Sequence, residues 1–138
     1  LVERHGQIAV ISSIAGFSPL LGRTGYSASK HALHGFFDSL RSELEDDGVA
    51  VTVVCPAFIA TGIDRAALDG DGQPAPMSRK LVGKEMAPKE MADRIFTAVS
   101  LRQRLFLPTP LAKLSYWISR LAPRFFAQQM KRRVGECP

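Results

Sequence analysis

Tyr26 and Lys30 stand four residues apart in "GYSASKHALHGFFDSL", residues 25–40. On a helix that spacing stacks a phenol and an ammonium one turn apart on one face. A free phenol titrates near 10, too high to trade protons well at neutral pH, and a nearby cation favours its ionised form. The pair is therefore a candidate proton donor and acceptor. Two serines, Ser12 and Ser13, close an apolar run just upstream, Ser13 lying 13 residues before Tyr26. A hydroxyl there suits holding the oxygen that gives or takes the proton. Read alone, the pair is equally a tyrosine at a helix start followed by a solvated lysine.

The elements that carry these residues sharpen the reading. "QIAVIS" (7–12) is a short β-branched run and predicts a buried strand, and Ser13 falls at its carboxyl end. "GFSPLLGRTG" (16–25) is loop-like in its Gly and Pro. Apolar residues at helical spacing, Ala32, Leu33, Phe36, Phe37, Leu40 and Leu44, predict a helix from Ser27 to about Asp46. "VAVTVVCP" (49–56) predicts a second buried strand, ended by Pro56, and "RLFLP" (104–108) a third. A helix over 87–102 separates these two, through Met91, Ile95, Phe96 and Val99. Strand, helix, strand, helix, strand makes two βαβ units and a parallel sheet. Open α/β sheets bind ligands at the carboxyl ends of their strands, where Ser13 and the "CPAFIAT" turn both fall. Three strands are few for a parallel sheet, and the chain opens on Leu1 with "LVERHG", which reads as a helix end. Both suggest part of a larger domain.

In order and spacing, "VISSIAG", "GYSASKHAL" and "VTVVCPAFIAT" resemble the short-chain dehydrogenase/reductase family. The resemblance runs to about Pro108 and implies a Rossmann-like doubly wound α/β fold, here only its C-terminal half. It implies interconversion of a carbonyl and a secondary alcohol, with Tyr26 as general acid/base, Ser13 on the substrate oxygen and Lys30 on the cofactor ribose and in a proton relay. None of these side chains can carry hydride, so NADP or NAD is implied, with NADP put slightly ahead. It also implies cofactor contacts from Pro56, Ala57, Ile59 and Thr61, besides Tyr26 and Lys30. The family's Pro-Gly reads Pro56-Ala57 here, a change expected to be harmless. The Gly-rich pyrophosphate turn, the residue that chooses between NAD and NADP, and an Asn-rich motif are all missing from the sequence. Hence the alternative, that this chain is a non-catalytic fragment or binding module without its dinucleotide-binding half.

Residues 60–87 are rich in Gly, Pro and charge and read as a substrate lid on domain 1–108. Residues 109–138 form a basic amphipathic extension in two stretches split by Pro123. Leu111, Leu114, Ile118 and Leu121 share one face, continued by Phe125, Phe126, Met130 and Val134. That face is expected to pack on the core or on a subunit, with peripheral membrane contact the competing reading.

The 138 residues, 46% hydrophobic and 22% charged, suit one globular domain. Charge is divided unevenly: residues 1–70 hold 5 basic and 8 acidic side chains, residues 71–138 hold 13 and 5. Cys55 and Cys137 form no CxxC pattern, which favours a reducing, cytoplasmic setting over a disulfide framework. His31 and His34 lack further ligands at useful spacing, so no metal is expected. A Ser13–Lys30 hydrolase would leave Tyr26 idle and lacks the G-x-S-x-G turn. "SLRSELEDD" (39–47) reads as a solvated helix end. A homo-oligomer through the Tyr26–Lys30 helix is expected by resemblance, and nucleic-acid binding is not.

Overall fold

The computed structural model describes residues 1–61, 63, 66, 68, 71–73 and 85–135, with side chains as far as Arg132. A single 3-10 turn, Val2–Arg4, leads into strand β1 (Gln7–Ile11). Helix α1 (Thr24–Leu44) connects it to β2 (Ala50–Val54), and α2 (Pro88–Ser100) connects β2 to β3 (Leu105–Phe106). The three strands form a parallel sheet in the order β1-β2-β3. Gln7 lies opposite Ala50, Ile11 opposite Val54, and Val54 opposite Phe106. Among the described residues no strand pairs with the outer edge of β1.

β2 is the centre of the molecule. Val51, Thr52, Val53 and Val54 are all buried, as a parallel strand covered on both faces requires. Val10, Val51, Val53 and Cys55 make the core, and Leu33 and Phe37 of α1 close over it at i, i+4 spacing together with Phe17, Leu105 and Leu107. α2 turns Met91 and Ala98 inward. Its outward ion pairs, Lys89–Asp93 and Glu90–Arg94, are solvated i, i+4 pairs of the kind that adds only a few tenths of a kcal/mol.

Within the sheet and α1 the structure differs from the sequence reading at three places. α1 starts at Thr24, not Ser27, because Ser27 N–H already donates to the Arg23 carbonyl (2.9 Å) and Gly25 is carried inside the first turn. β3 shrinks to two paired residues ahead of Pro108. The end of α1 is not wholly solvated either, for Arg41 is 6% exposed. Its Nε donates to Val51 O (3.0 Å), one Nη to Arg104 O (3.0 Å) and the other to Asp38, so one guanidinium ties α1 to β2 and to the approach to β3.

A second arginine closes the amino ends of the strands. Arg102, at φ 50°, donates to Gly48 O (3.1 Å) and His5 O (3.2 Å), while His5 Nδ1 donates to Asp47 O (2.8 Å). Gly48 has φ 72°, and a Cβ there would fall 2.6 Å from the His5 ring, so glycine is required.

Beyond β3, Thr109 caps helix α3 (Pro110–Leu121), accepting from Ala112 N–H at 3.1 Å, with Pro110 in the first turn. Ala122 and Pro123 break the run, and α4 (Pro123–Gly135) follows. α3 docks on the domain through buried Ala112 and through Tyr116, whose ring meets Phe17 edge-on at 5.1 Å. The face of Leu111, Leu114 and Leu121 does not pack on the core as expected. All three are exposed, because Ala112 and Tyr116 on the opposite side make the contact.

Candidate active site

The carboxyl ends of β1 and β2 form one corner. Ser12 N–H continues the ladder by donating to Val54 O (2.8 Å), and Ile14 N–H donates to Pro56 O (3.2 Å). The segment after β1 is thus fastened to the segment after β2. Ser13 sits between these two bonds in extended backbone and opens the 3-10 turn Ile14–Gly16, its Oγ accepting from Ala15 N–H at 3.2 Å.

α1 meets the same corner. The Lys30 ammonium donates to Ile11 O at 3.2 Å, and buried Ser12 donates its hydroxyl to Lys30 O at 3.4 Å. Lys30 Nζ lies 5.8 Å from the centre of the Tyr26 ring, within reach of a cation–π contact. The Tyr26 side chain remains substantially open, at 41% exposure. Tyr26, Lys30, Ser13 and Pro56 are therefore gathered where the sheet's strands end.

The close approach of α1 to this corner depends on Gly16. A Cβ at that position would stand 2.5 Å from Ser12 Oγ and 2.6 Å from His34 Nε2. His34 in turn lies edge-on to Phe17 (6.3 Å) and 3.5 Å from Cys55 Sγ. Burial pulls the His34 pKa below its ordinary value, against a raising influence from Asp38, and pushes the Cys55 thiol up to about 12. Both groups are neutral packing residues at pH 7. His31, with its Nδ1 on Ser27 O at 2.9 Å, satisfies its own helix.

The other expected cofactor residues extend outward from Pro56. Ala57 and Ile59 are half-buried and Thr61 is exposed, with its N–H on Ile59 O at 2.8 Å. Ile59 pairs in parallel with Met86: Met86 N–H donates to Phe58 O (3.0 Å) and Ala60 N–H to Met86 O (3.1 Å). Most of the expected lid, 60–87, lies outside the described residues, but this bridge clamps its two ends together. The roles of Ser12, Gly16 and Met86 were not assigned from sequence. The signal for Gly16 was present in "SSIAG", a glycine one turn beyond a strand end.

What the residues present fit is one part of a nicotinamide dinucleotide, a ribose diol. One of the three Lys30 donors is used by Ile11 O, leaving two that a diol could take, and Tyr26 is part-exposed beside it.

The chain has clear relatives among known proteins. Residues 1–71 match the sequence signature of the short chain dehydrogenases. The chain is 33% identical over 97% of its length to a dehydrogenase/reductase SDR family protein 7-like of Anopheles gambiae, and 37% identical over 96% to dehydrogenase/reductase SDR family member 7B of Xenopus laevis. It spans 43% and 41% of those proteins' lengths. A short-chain dehydrogenase of Burkholderia cenocepacia J2315 solved with NADP shares the fold at TM-score 0.73 and 22% identity, over 94% of this chain and 49% of that one. One from Sphingobium yanoikuyae solved with NADPH does so at 0.65 and 26%, over 93% and 47%. The three-stranded sheet is part of a Rossmann-type domain, and the chain belongs to the short chain dehydrogenase family of oxidoreductases.

Proposed function

We propose that this chain supplies the catalytic half of an NAD(P)-dependent oxidoreductase that interconverts a carbonyl and a secondary alcohol. The observation that carries the reading is the single corner where Lys30 is fixed on Ile11 O beside the Tyr26 ring and Ser13 opens the adjoining turn. Tyr26 gives its phenolic proton to the carbonyl oxygen in reduction and takes it back in oxidation. The fixed Lys30 charge stabilises negative charge developing on the phenol oxygen, and its remaining donors suit a ribose diol. The Ser13 hydroxyl holds the substrate oxygen in line. Lys30, Tyr26 and the Pro56–Thr61 segment, with Ala57 and Ile59 half-open, would hold the dinucleotide, which when bound supplies the hydride that no side chain here can carry. NADP is favoured by the NADP and NADPH bound to similar structures. The exposed Phe36 on α1 supports packing of this helix against a second copy.

The test is nicotinamide oxidation with carbonyl substrates by a longer protein, this chain with a dinucleotide-binding half restored upstream. Tyr26→Phe is expected to lower kcat by roughly 10²–10⁴-fold. Full activity in that variant would remove the mechanism. The span of 41–43% of the curated relatives favours a second reading for the 138 residues by themselves, as a non-catalytic piece. Calorimetric titration of this chain alone is expected to show no tight NADP binding.

A further inference from the structure

We infer that α3 and the first turn of α4 form a docking face for an anionic lipid bilayer. Leu111, Leu114, Trp117 and Leu121 recur at spacings of three, three and four, which puts them on one side of the helix. A helix on a soluble domain normally turns such a side inward. α3 does the reverse. Its small residue Ala112 is fully buried and Tyr116 contacts Phe17, so the apolar side faces out. Leu114 is 57% exposed, Trp117 59%, Leu121 78% and, on α4, Phe125 51%.

Charge selects the occupant. Lys113 on α3 and Arg124 in the first turn of α4 are both exposed, and the sequence holds no acidic residue between Asp93 and Glu136. Two copies meeting through this face would bring like charges together with no carboxylate to pair them. An apolar strip with a tryptophan, bordered by lysine and arginine, matches the boundary between headgroups and acyl chains of an acidic bilayer. α3 has 12 residues and α4 has 13, and no helix among the described residues is long and apolar enough to cross a membrane. The pair therefore lies on the surface.

Trp117 is the sole tryptophan of the chain and reports directly. With vesicles of phosphatidylcholine and phosphatidylserine, its emission is expected to shift to the blue and to be quenched by lipids brominated along the acyl chain. The protein is expected to co-sediment with those vesicles, at least tenfold less with phosphatidylcholine alone or in 1 M salt. The pairs Leu114→Asp/Leu121→Asp and Lys113→Glu/Arg124→Glu are each expected to cut binding tenfold or more, with the far-ultraviolet dichroism of the unmodified chain confirming that they fold. Equal binding to neutral vesicles, or undiminished binding by the two variants, overturns the inference. So does a blue shift that grows with protein concentration in the absence of lipid, which would assign the face to a second copy.

Discussion

Lys30 donates to the carbonyl of Ile11 at 3.2 Å, so the last residue of β1 fixes the ammonium that stands beside the Tyr26 ring. The cation's place is set by the sheet and not by the phenol. Lys30→Met, which keeps the length of the side chain and removes its charge, is expected to reduce hydride transfer in the longer protein by about 10²-fold or more. Lys30→Arg retains charge, but a planar guanidinium cannot reproduce an ammonium's contacts and is expected to rescue poorly. Steady-state kcat against pH for the three proteins checks both statements.

Gly16 allows α1 to sit close to the end of β1. Gly16→Ala forces a methyl to within 2.5 Å of Ser12 Oγ and 2.6 Å of His34. We expect a loss of about 1–3 kcal/mol in urea unfolding, the usual cost of overpacking. Because Ser12 also holds the backbone at Lys30, activity in the longer protein is expected to fall at temperatures where the variant remains folded.

Arg41 is the cross-tie at the other end of α1. Arg41→Met leaves the Val51 and Arg104 carbonyls without this donor and is expected to cost roughly 2–4 kcal/mol. Arg41→Lys offers one ammonium where a fork bonded two separated carbonyls, so it is expected to recover less than half of that. Equilibrium denaturation of the three proteins is the measurement, and equal stability of all three would show the tie to be idle.

His34 and Cys55 each contribute to one flank of the pH–stability profile. Burial lowers the His34 pKa from 6.5, so unfolding takes up a proton once the pH drops below about 6.5. Stability then declines on acidification until His34 protonates in the folded state too. Burial raises the Cys55 pKa from 9.0 to about 12, so unfolding releases a proton above about pH 9 and stability declines from there upward. His34→Gln is expected to flatten the acidic limb and Cys55→Ala the alkaline limb, read as slopes of unfolding free energy against pH. Unchanged slopes would contradict the assignment.

Most of the scaffold was legible because its signals are local. β-branched runs gave β1 and β2, and the i, i+4 pair Leu33 and Phe37 gave the inward side of α1. Tyr26 and Lys30 could be placed on one helix face from spacing alone. What stayed hidden depends on contacts remote in sequence. Periodicity shows that α3 has an apolar side, but not that Ala112 and Tyr116 would take the inward position. Likewise Arg41 reads as one more charge in "SLRSELEDD", since its carbonyl partners are 10 and 63 residues away. Gly25 closes the Gly- and Pro-rich stretch that predicts a loop, yet its place in the first turn costs little where the helix is only starting.

Finally, Ile59 and Met86 are bonded neighbours although 27 residues apart in sequence. The separation of these two anchor points is set by backbone hydrogen bonds and is independent of whatever the intervening chain contains. Lengthening a closed loop adds only a slowly growing entropic cost, about 0.6 kcal/mol per doubling. The insert can therefore change in length and content at little cost to the bridge that closes it.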